Sequence, residues 1–226
     1  MQSILMFRFE IISKTSMKEF INNLEGNNLE LTKMLVTDVK ENGFEAVYVY
    51  TEVTKEKIFD FDKNEFIDVV LKKYHTIPFH FDFVNKTFDL WGNRKSSQYL
   101  ITAISLALNN KIIIEPLIFK FEQAFEYLHG IDGIRVGRVR AKEIVIKDGL
   151  IADCVLNLSN DNDPFKLLNE YIDNIDNIIF ELSCQEGKVG ITLYKSGAIT
   201  IHKNREQIND NILKLIYDLM IAAGGR

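Results

Sequence analysis

The stretch that decides the fold is KVGITLYKSGAITIHKNREQINDNILKLIYDLM, residues 188–220. Apolar and polar residues alternate on both sides of Ser196-Gly197, which predicts two short strands joined by a tight turn. The residues that follow are apolar at every third or fourth position, which predicts a long amphipathic helix. The side chains expected on its buried face are Ile208, Ile212, Leu215, Ile216, Leu219 and Met220.

A second stretch of the same kind, IPFHFDFVNKTFDLWGNRKSSQYLITAISLALNN, occupies residues 77–110. It also predicts a hairpin followed by a helix, because period-two alternation gives way to helical spacing. The strand residues expected to share inner faces are Phe79, Phe81 and Phe83, then Phe88 and Leu90. The helix residues expected to face inward are Tyr99, Leu100, Ala103, Ile104 and Ala107.

Another hairpin and another helix precede this stretch. Asn42-Gly43, a strong hairpin signal, joins two alternating apolar runs in residues 34–53. The segment DKNEFIDVVLKKYH, residues 62–75, has apolar residues at helical spacing, with Asp62 or Asn64 in a position to cap a helix. The first part of the chain therefore predicts hairpin, helix, hairpin, helix.

The second part of the chain repeats this order. A hairpin is predicted around Asp148-Gly149, and the segment after it predicts a helix with Pro164 in its first turn. Internal duplication would explain the repeat. The alternative is that hairpins and helices alternate by chance in an α+β protein.

The sequence thus predicts an α+β fold of two similar halves, with antiparallel sheets and helices packed on one face. The predicted organisation is an N-terminal half at 1–113, a connecting helix and linker at 114–134, and a C-terminal half at 135–226. Pro116 is expected in the first turn of the connecting helix. Side by side, two such halves would form one continuous sheet of pseudo-twofold symmetry, with its other face free.

The hairpin with a Ser-Gly turn and the long helix after it, beginning LYKSGAITIHK, resembles the repeat unit of TATA-binding-protein-like folds. The resemblance covers residues 188–220 and, in weaker form, 77–109. It concerns shape, and the phenylalanine pairs with which that family kinks DNA have no match in this sequence. Recognition of a TATA element is therefore not implied.

The composition is that of an ordinary globular protein: 226 residues, 46% hydrophobic and 26% charged, with a formal net charge of −5. The sequence contains no apolar run long enough to span a bilayer, and Arg8 and Glu10 interrupt the apolar N-terminal segment. Two cysteines, Cys154 and Cys184, form no metal-ligand pattern. We therefore expect a cytoplasmic protein with no membrane partner.

No catalytic or cofactor motif of high specificity occurs in the chain. The sequence lacks a Walker-type loop, a dinucleotide glycine fingerprint and a Gly-x-Ser-x-Gly nucleophile elbow. We expect no cofactor, no metal and no catalytic residue. One set of residues leaves a metal-dependent nuclease as a third hypothesis: His80, Asp82 and Asp89.

The most suggestive segment is IRVGRVRAKEIVIK, residues 134–147. Arg138, Arg140 and Lys142 fall on one face of an extended strand, with Arg135 just before them. Arginine can bind phosphate through two parallel hydrogen bonds, and such contacts supply most of the sequence-independent affinity for nucleic acid. The alternative is a solvated strand edge that charge protects from aggregation.

A second basic position lies at the hairpin-to-helix junction of the first half, where Trp91 precedes Arg94 and Lys95. An aromatic ring beside cationic side chains is typical of base-stacking sites. The alternative places Trp91 in the core.

These residues lead to three hypotheses. The first is a non-enzymatic, nucleic-acid-associated accessory factor that binds DNA or RNA through the basic strand. The second is a protein–protein adaptor or assembly subunit, with a protein partner or a second copy of itself. The third is the metal-dependent nuclease.

Overall fold

The computed structural model describes residues 2–13, 15–147, 149–159, 164–184, 187–203 and 207–224. Single helices separate runs of one to four strands along the chain. The strands are β1 (Gln2–Ile11), β2 (Thr32–Lys40), β3 (Gly43–Asp60), β4 (Glu65–Asp82), β5 (Thr87–Trp91), β6 (Ile112–Pro116), β7 (Ile134–Lys147), β8 (Leu150–Asn157), β9 (Ile175–Cys184), β10 (Gly187–Tyr194) and β11 (Ala198–Ile201). The helices are α1 (Met17–Gly26), α2 (Arg94–Ala107), α3 (Phe121–His129), α4 (Pro164–Glu170) and α5 (Asp210–Ala223). The predicted α+β class is confirmed.

The chain divides into two compact units. One comprises residues Met1–Arg8, Trp91–Asn93 and Glu115–Arg226, and the other comprises Phe9–Leu90 and Arg94–Ile114. We call them the C-terminal unit and the N-terminal unit, after the part of the chain that dominates each. The predicted boundaries at residues 113 and 135 stay a prediction, because compact units group residues by contact and do not test independent folding.

The N-terminal unit contains an antiparallel sheet, β2-β3-β4-β5, with α1 packed on it and α2 in contact with α1. Phe81 is fully buried at the centre of an aromatic cluster. Its ring stacks on Phe88 with centroids 4.6 Å apart and meets Phe20 of α1 edge-on at 5.1 Å. These contacts hold α1 on the sheet, since aromatic pairs prefer offset-stacked or edge-to-face geometry. The predicted inward faces of β4 and β5 are confirmed for the residues Phe79, Phe81, Phe88 and Leu90.

The C-terminal unit contains the sheet β1-β11-β10-β9-β7-β8, in which β1 contributes its first residues. The helices α3 and α5 pack against each other. Asn209 caps α5, because its side chain accepts a hydrogen bond from the backbone N–H of Ile212 at 2.9 Å. The buried face of α5 has the predicted residues Ile212, Ile216, Leu219 and Met220.

The helix predicted at residues 62–75 is wrong, because this segment forms the turn before β4 and most of the strand itself. Asp60 accepts hydrogen bonds from the N–H groups of Asp62 and Lys63, and Asn64 adopts a positive φ of 54°. The polar residues therefore close a hairpin turn instead of capping a helix. The helical spacing was misleading because pairing with β3 decides the conformation of this segment.

Two further expectations are corrected. Pro116 ends β6, and α3 begins only at Phe121, because Leu117 donates its backbone N–H to Met6 and keeps the intervening chain extended. Tyr99 of α2 is 46% exposed, although its spacing predicted an inward position. Its ring contacts Tyr50 at a centroid distance of 5.4 Å instead of entering the core.

The predicted duplication is not established by these elements. The first half lacks the helix on which the order hairpin, helix, hairpin, helix depended, although the paired motif of hairpin and long helix is present as β4-β5-α2 and β10-β11-α5. Asp148, in the turn predicted between β7 and β8, lies outside the described residues. No helix in the described part of the chain is long and apolar enough to cross a membrane.

Candidate nucleic-acid interface

The strand β7 presents four cationic side chains on one face of the C-terminal unit. Arg135, Arg138, Arg140 and Lys142 are all exposed, whereas Val136, Val139 and Ala141, which alternate with them, are buried to 1% exposure or less. The sequence predicted three of the four on one face with Arg135 just before them. The structure brings Arg135 to the same side.

Gly137 explains how Arg135 joins the other cations. Val136 and Arg138 pair with Phe180 and Ile179, which are consecutive residues of β9, so Gly137 is an extra residue in β7. Such a β-bulge shifts the alternation of side chains by one position. An isolated glycine inside a strand pattern is the sequence signal for this feature.

The three arginines differ from Lys142 in their partners. Lys142 forms an ion pair with Asp176 at 2.6 Å, and this hydrogen bond is the main reason that the pKa of Asp176 lies below its ordinary value. No carboxylate among the described residues forms an ion pair with Arg135, Arg138 or Arg140. The charge that no ion pair neutralises therefore resides on the arginines, although Asp176 also attracts Arg140 and Glu181 lies opposite Arg135 on β9.

The neighbouring strands add polar groups to the same face. Asn157 of β8 lies opposite Arg138, and Asn177 of β9 lies opposite Arg140. Farther along the sheet, Lys188 is paired with Glu181 at 2.7 Å, so it contributes less free charge than the arginines. Sequence reasoning missed the two asparagines, because only strand pairing places them beside the basic strand.

A shallow cavity of about 280 Å³ lies beside the arginines. Its lining comprises Arg135, Gly137, Arg138, Ser159, Ile179, Phe180, Gly190 and one acidic residue, Glu181. Alternate residues on a strand are spaced by roughly 7 Å, so neighbouring guanidinium groups can contact separate phosphates. The arrangement suits an extended polyanion that lies across β7, held by charge and with little shape selection.

Trp91 is not available for base stacking, which corrects that part of the predicted site. The residue is only 8% exposed and packs within the hydrophobic core of the C-terminal unit. Its large apolar ring gains more from burial than from solvent exposure. Arg94 and Lys95 are exposed at the start of α2, in the N-terminal unit. They therefore form a separate basic position.

The residues of the nuclease hypothesis are assembled only in part. His80 of β4 and Asp89 of β5 are directly opposite and their side chains meet at 2.9 Å. Asp82 instead accepts hydrogen bonds from the N–H groups of Val84 and Asn85 and closes the turn after β4. Within the described ranges, no three or more His, Cys, Asp or Glu side chains form a group that could hold a metal ion.

The electrostatics of His80 follow from its neighbours. Burial by itself lowers the pKa of His80, but the hydrogen bond to Asp89 and the negative charges of Asp89, Asp82 and Glu45 outweigh it. The pKa of His80 is therefore raised above its ordinary value of 6.5. This pair joins two strands and stabilises the protonated imidazole.

No protein-family model and no curated protein matches this chain.

Proposed function

We propose that the chain is a non-enzymatic binding protein that holds DNA or RNA across β7, as an accessory factor to a nucleic-acid process. The observation that carries the proposal is the exposed face of Arg135, Arg138 and Arg140, which have no ion-pair partner among the described residues. Exposed arginines that are not held in an ion pair are available to phosphate groups. The formal net charge of −5 does not oppose this, because association depends on the local field.

We expect the protein to bind nucleic acid with little preference for its sequence. The face offers guanidinium and amide groups on a sheet, and Trp91, the predicted stacking residue, is buried. Contacts to phosphates fix position but carry no sequence information directly. The proposal therefore predicts similar affinities for unrelated sequences of equal length and strandedness.

The test is fluorescence anisotropy of labelled single-stranded and double-stranded DNA and RNA, titrated with the purified protein. The variant Arg138→Glu with Arg140→Glu should abolish binding at low salt. The matched control is Lys18→Glu with Lys33→Glu, which makes the same change in net charge at exposed lysines of the N-terminal unit. The control should retain most of the affinity.

Two results would refute the proposal. One is an absence of binding by the unaltered protein even at low salt. The other is an equal loss of affinity in both double variants, which would mean that total charge and not the β7 face governs association.

We also propose that the fold contains an internal duplication, in a form that differs from the predicted one. The element order supports it: β1, α1, β2 to β5 and α2 in the first half correspond to β6, α3, β7, β9 to β11 and α5 in the second. In both sets a strand and a helix come first. Four strands follow that lie side by side in the sheet in the order β2-β3-β4-β5 or β7-β9-β10-β11, and a helix ends the set. β8 and α4 would then be an insertion. Superposition of the two sets in a crystal structure tests this, and different connections or handedness would contradict it.

A further inference from the structure

The hairpin of β3 and β4 extends beyond the rest of its sheet. β2 pairs with β3 only as far as Tyr50, and β5 pairs with β4 only over Phe79–Asp82, whereas β3 and β4 remain paired from Gly43 to Asp60. Residues 51–74 therefore form a two-stranded ribbon, which we call the arm. An isolated two-stranded hairpin has only marginal stability in water.

The arm exposes large apolar side chains, and side chains left in solvent do not stabilise an isolated ribbon. Phe61 at its tip is 88% exposed. The other exposed apolar side chains of the arm are Val53, Ile58, Phe66, Val70, Leu71 and Tyr74. A concentration of this kind on one projecting element marks an interaction surface.

The outer edge of β4 is one of the two open edges of this ribbon, the other being that of β3 beyond Tyr50. In the described part of the chain, no strand pairs with the β4 edge between Glu65 and Pro78. The backbone groups of a free edge can pair with another strand, and a protein that leaves such an edge unprotected associates through it.

The sequence of β4 is complementary to itself in one register. If two copies pair antiparallel about Val70, Asp68 of each copy lies opposite Lys72 of the other, and Phe66 lies opposite Tyr74. Val70 of one copy then lies opposite Val70 of the other. All five side chains share one face of the arm and all are exposed.

We propose that the arm is a dimerisation element and that its occupant is the arm of a second copy of this chain, paired through β4 in the register centred on Val70. The interface is isologous, as twofold symmetry requires. It converts two marginal ribbons into one four-stranded sheet, and it matches opposite charges and aromatic rings on the shared face.

One neighbouring register lacks this complementarity. A centre between Val69 and Val70 would place Asp68 opposite Leu71 and Phe66 opposite Lys73. The other neighbouring register, centred between Val70 and Leu71, places Asp68 opposite Lys73 and Phe66 opposite His75. It therefore keeps an opposite-charge pair but moves it from Lys72 to Lys73, so Lys72→Asp tells the two registers apart. The experiment must therefore distinguish the register centred on Val70, which pairs Asp68 with Lys72 and Phe66 with Tyr74, from its two neighbours.

The first test measures association by sedimentation equilibrium from low to high micromolar protein, with charge-swap variants. Asp68→Lys and Lys72→Asp, made singly, should each convert the dimer to a monomer, because each places like charges opposite one another twice in the dimer. The combination of both changes restores opposite charges across the interface and should restore the dimer.

The double variant also separates the interface from effects within one arm. Lys57 lies opposite Asp68 in the same hairpin, so Asp68→Lys creates a repulsion inside the chain that the double variant keeps. Recovery of the dimer in the double variant therefore assigns the effect to the contact between copies. Failure to recover it would overturn the proposal.

The second test reads the register directly. In a background with Cys154→Ser and Cys184→Ser, Val70→Cys places two thiols directly opposite at the twofold axis, within the Cα separation that a disulfide spans. Mild oxidation should give a covalent dimer. Val53→Cys, on the same face but on the other strand of the arm, is the control and should give little.

Three outcomes would overturn the proposal. The unaltered chain could sediment as a monomer at every concentration. The dimer could persist unchanged in both single charge variants. Val70→Cys could cross-link no better than Val53→Cys. The first outcome would exclude the second copy as the occupant of the arm, and either of the others would exclude pairing through β4 in the register centred on Val70.

Discussion

Phe81 shows how single side chains organise the N-terminal unit. Its ring contacts Phe44 and Phe88 on the sheet and Phe20 on α1, and no part of the residue reaches solvent. Removing it would leave a cavity that rigid neighbouring rings cannot fill. The stability of the unit therefore depends on this position more than on any exposed aromatic residue.

Phe81→Ala should lower the free energy of unfolding by about 3–5 kcal/mol, through lost burial and the cavity that remains. Denaturant titration followed by circular dichroism measures it. Phe61→Ala, at the 88% exposed tip of the arm, is the control and should change stability by less than about 0.5 kcal/mol in a dilute, monomeric sample. Equal effects at both positions would contradict the assignment of Phe81 to the core.

At the scale of elements, strand pairing places residues that are distant in sequence side by side. His80 and Asp89 are cross-strand neighbours, and the bulge at Gly137 sets the face of the β7 arginines. Each feature makes a prediction about the element that contains it.

The His80–Asp89 pair should make stability depend on pH. Because the folded-state pKa of His80 is raised above 6.5, its contribution to stability is complete below about that pH and is lost as the pH rises through the folded-state pKa. The unaltered protein should therefore lose stability relative to His80→Gln between mildly acidic and mildly alkaline pH. Thermal unfolding across that range measures the difference, and parallel curves would show that the pair contributes nothing.

Deletion of Gly137 should be tolerated, since it removes the extra residue and leaves Arg135, Arg138 and Arg140 on the same face of a regular strand. The cost is the hydrogen bond that Leu158 donates to the Gly137 carbonyl at 2.8 Å, about 1 kcal/mol. Anisotropy should show that nucleic-acid affinity is retained. A folded deletion variant without affinity would indicate that the bulge itself, and not only the arginines, forms the interface.

At the scale of the whole molecule, an acidic chain carries a locally basic face. Three phosphate contacts release roughly two to three counterions, so the logarithm of affinity should fall with the logarithm of salt concentration with a slope of about −2 to −3. A fourfold increase in salt should weaken binding about 16- to 64-fold. Anisotropy at several salt concentrations measures the slope. A slope near zero would rule out phosphate contacts as the source of affinity.

Much of the fold followed from local patterns. Turn dipeptides and alternating residues predicted the hairpins at Asn42-Gly43 and Ser196-Gly197, and three-to-four spacing predicted α2 and α5. Residues 62–75 were predicted wrongly because isoleucine, valine and leucine at helical spacing also fit a strand. Their pairing with the distant residues of β3 decides between the two.

The candidate site divides in the same way. Alternation along one strand was sufficient to place Arg138, Arg140 and Lys142 together. The residues around Trp91 in the sequence did not determine whether its ring is buried, because a ring at a strand end can enter a core or face solvent. In this fold the core encloses it. Local sequence patterns also did not predict the arm, because its exposure depends on where β2 and β5 stop pairing with β3 and β4.

The sequence by itself determined the class of the fold, most of its hairpins and the cationic character of β7, because these depend on residues close together in the chain. The tertiary structure decided which cations are free, which aromatic residues are buried and which strand edge stays open. Those properties arise from contacts between residues far apart in sequence, and local periodicity carries no information about such partners.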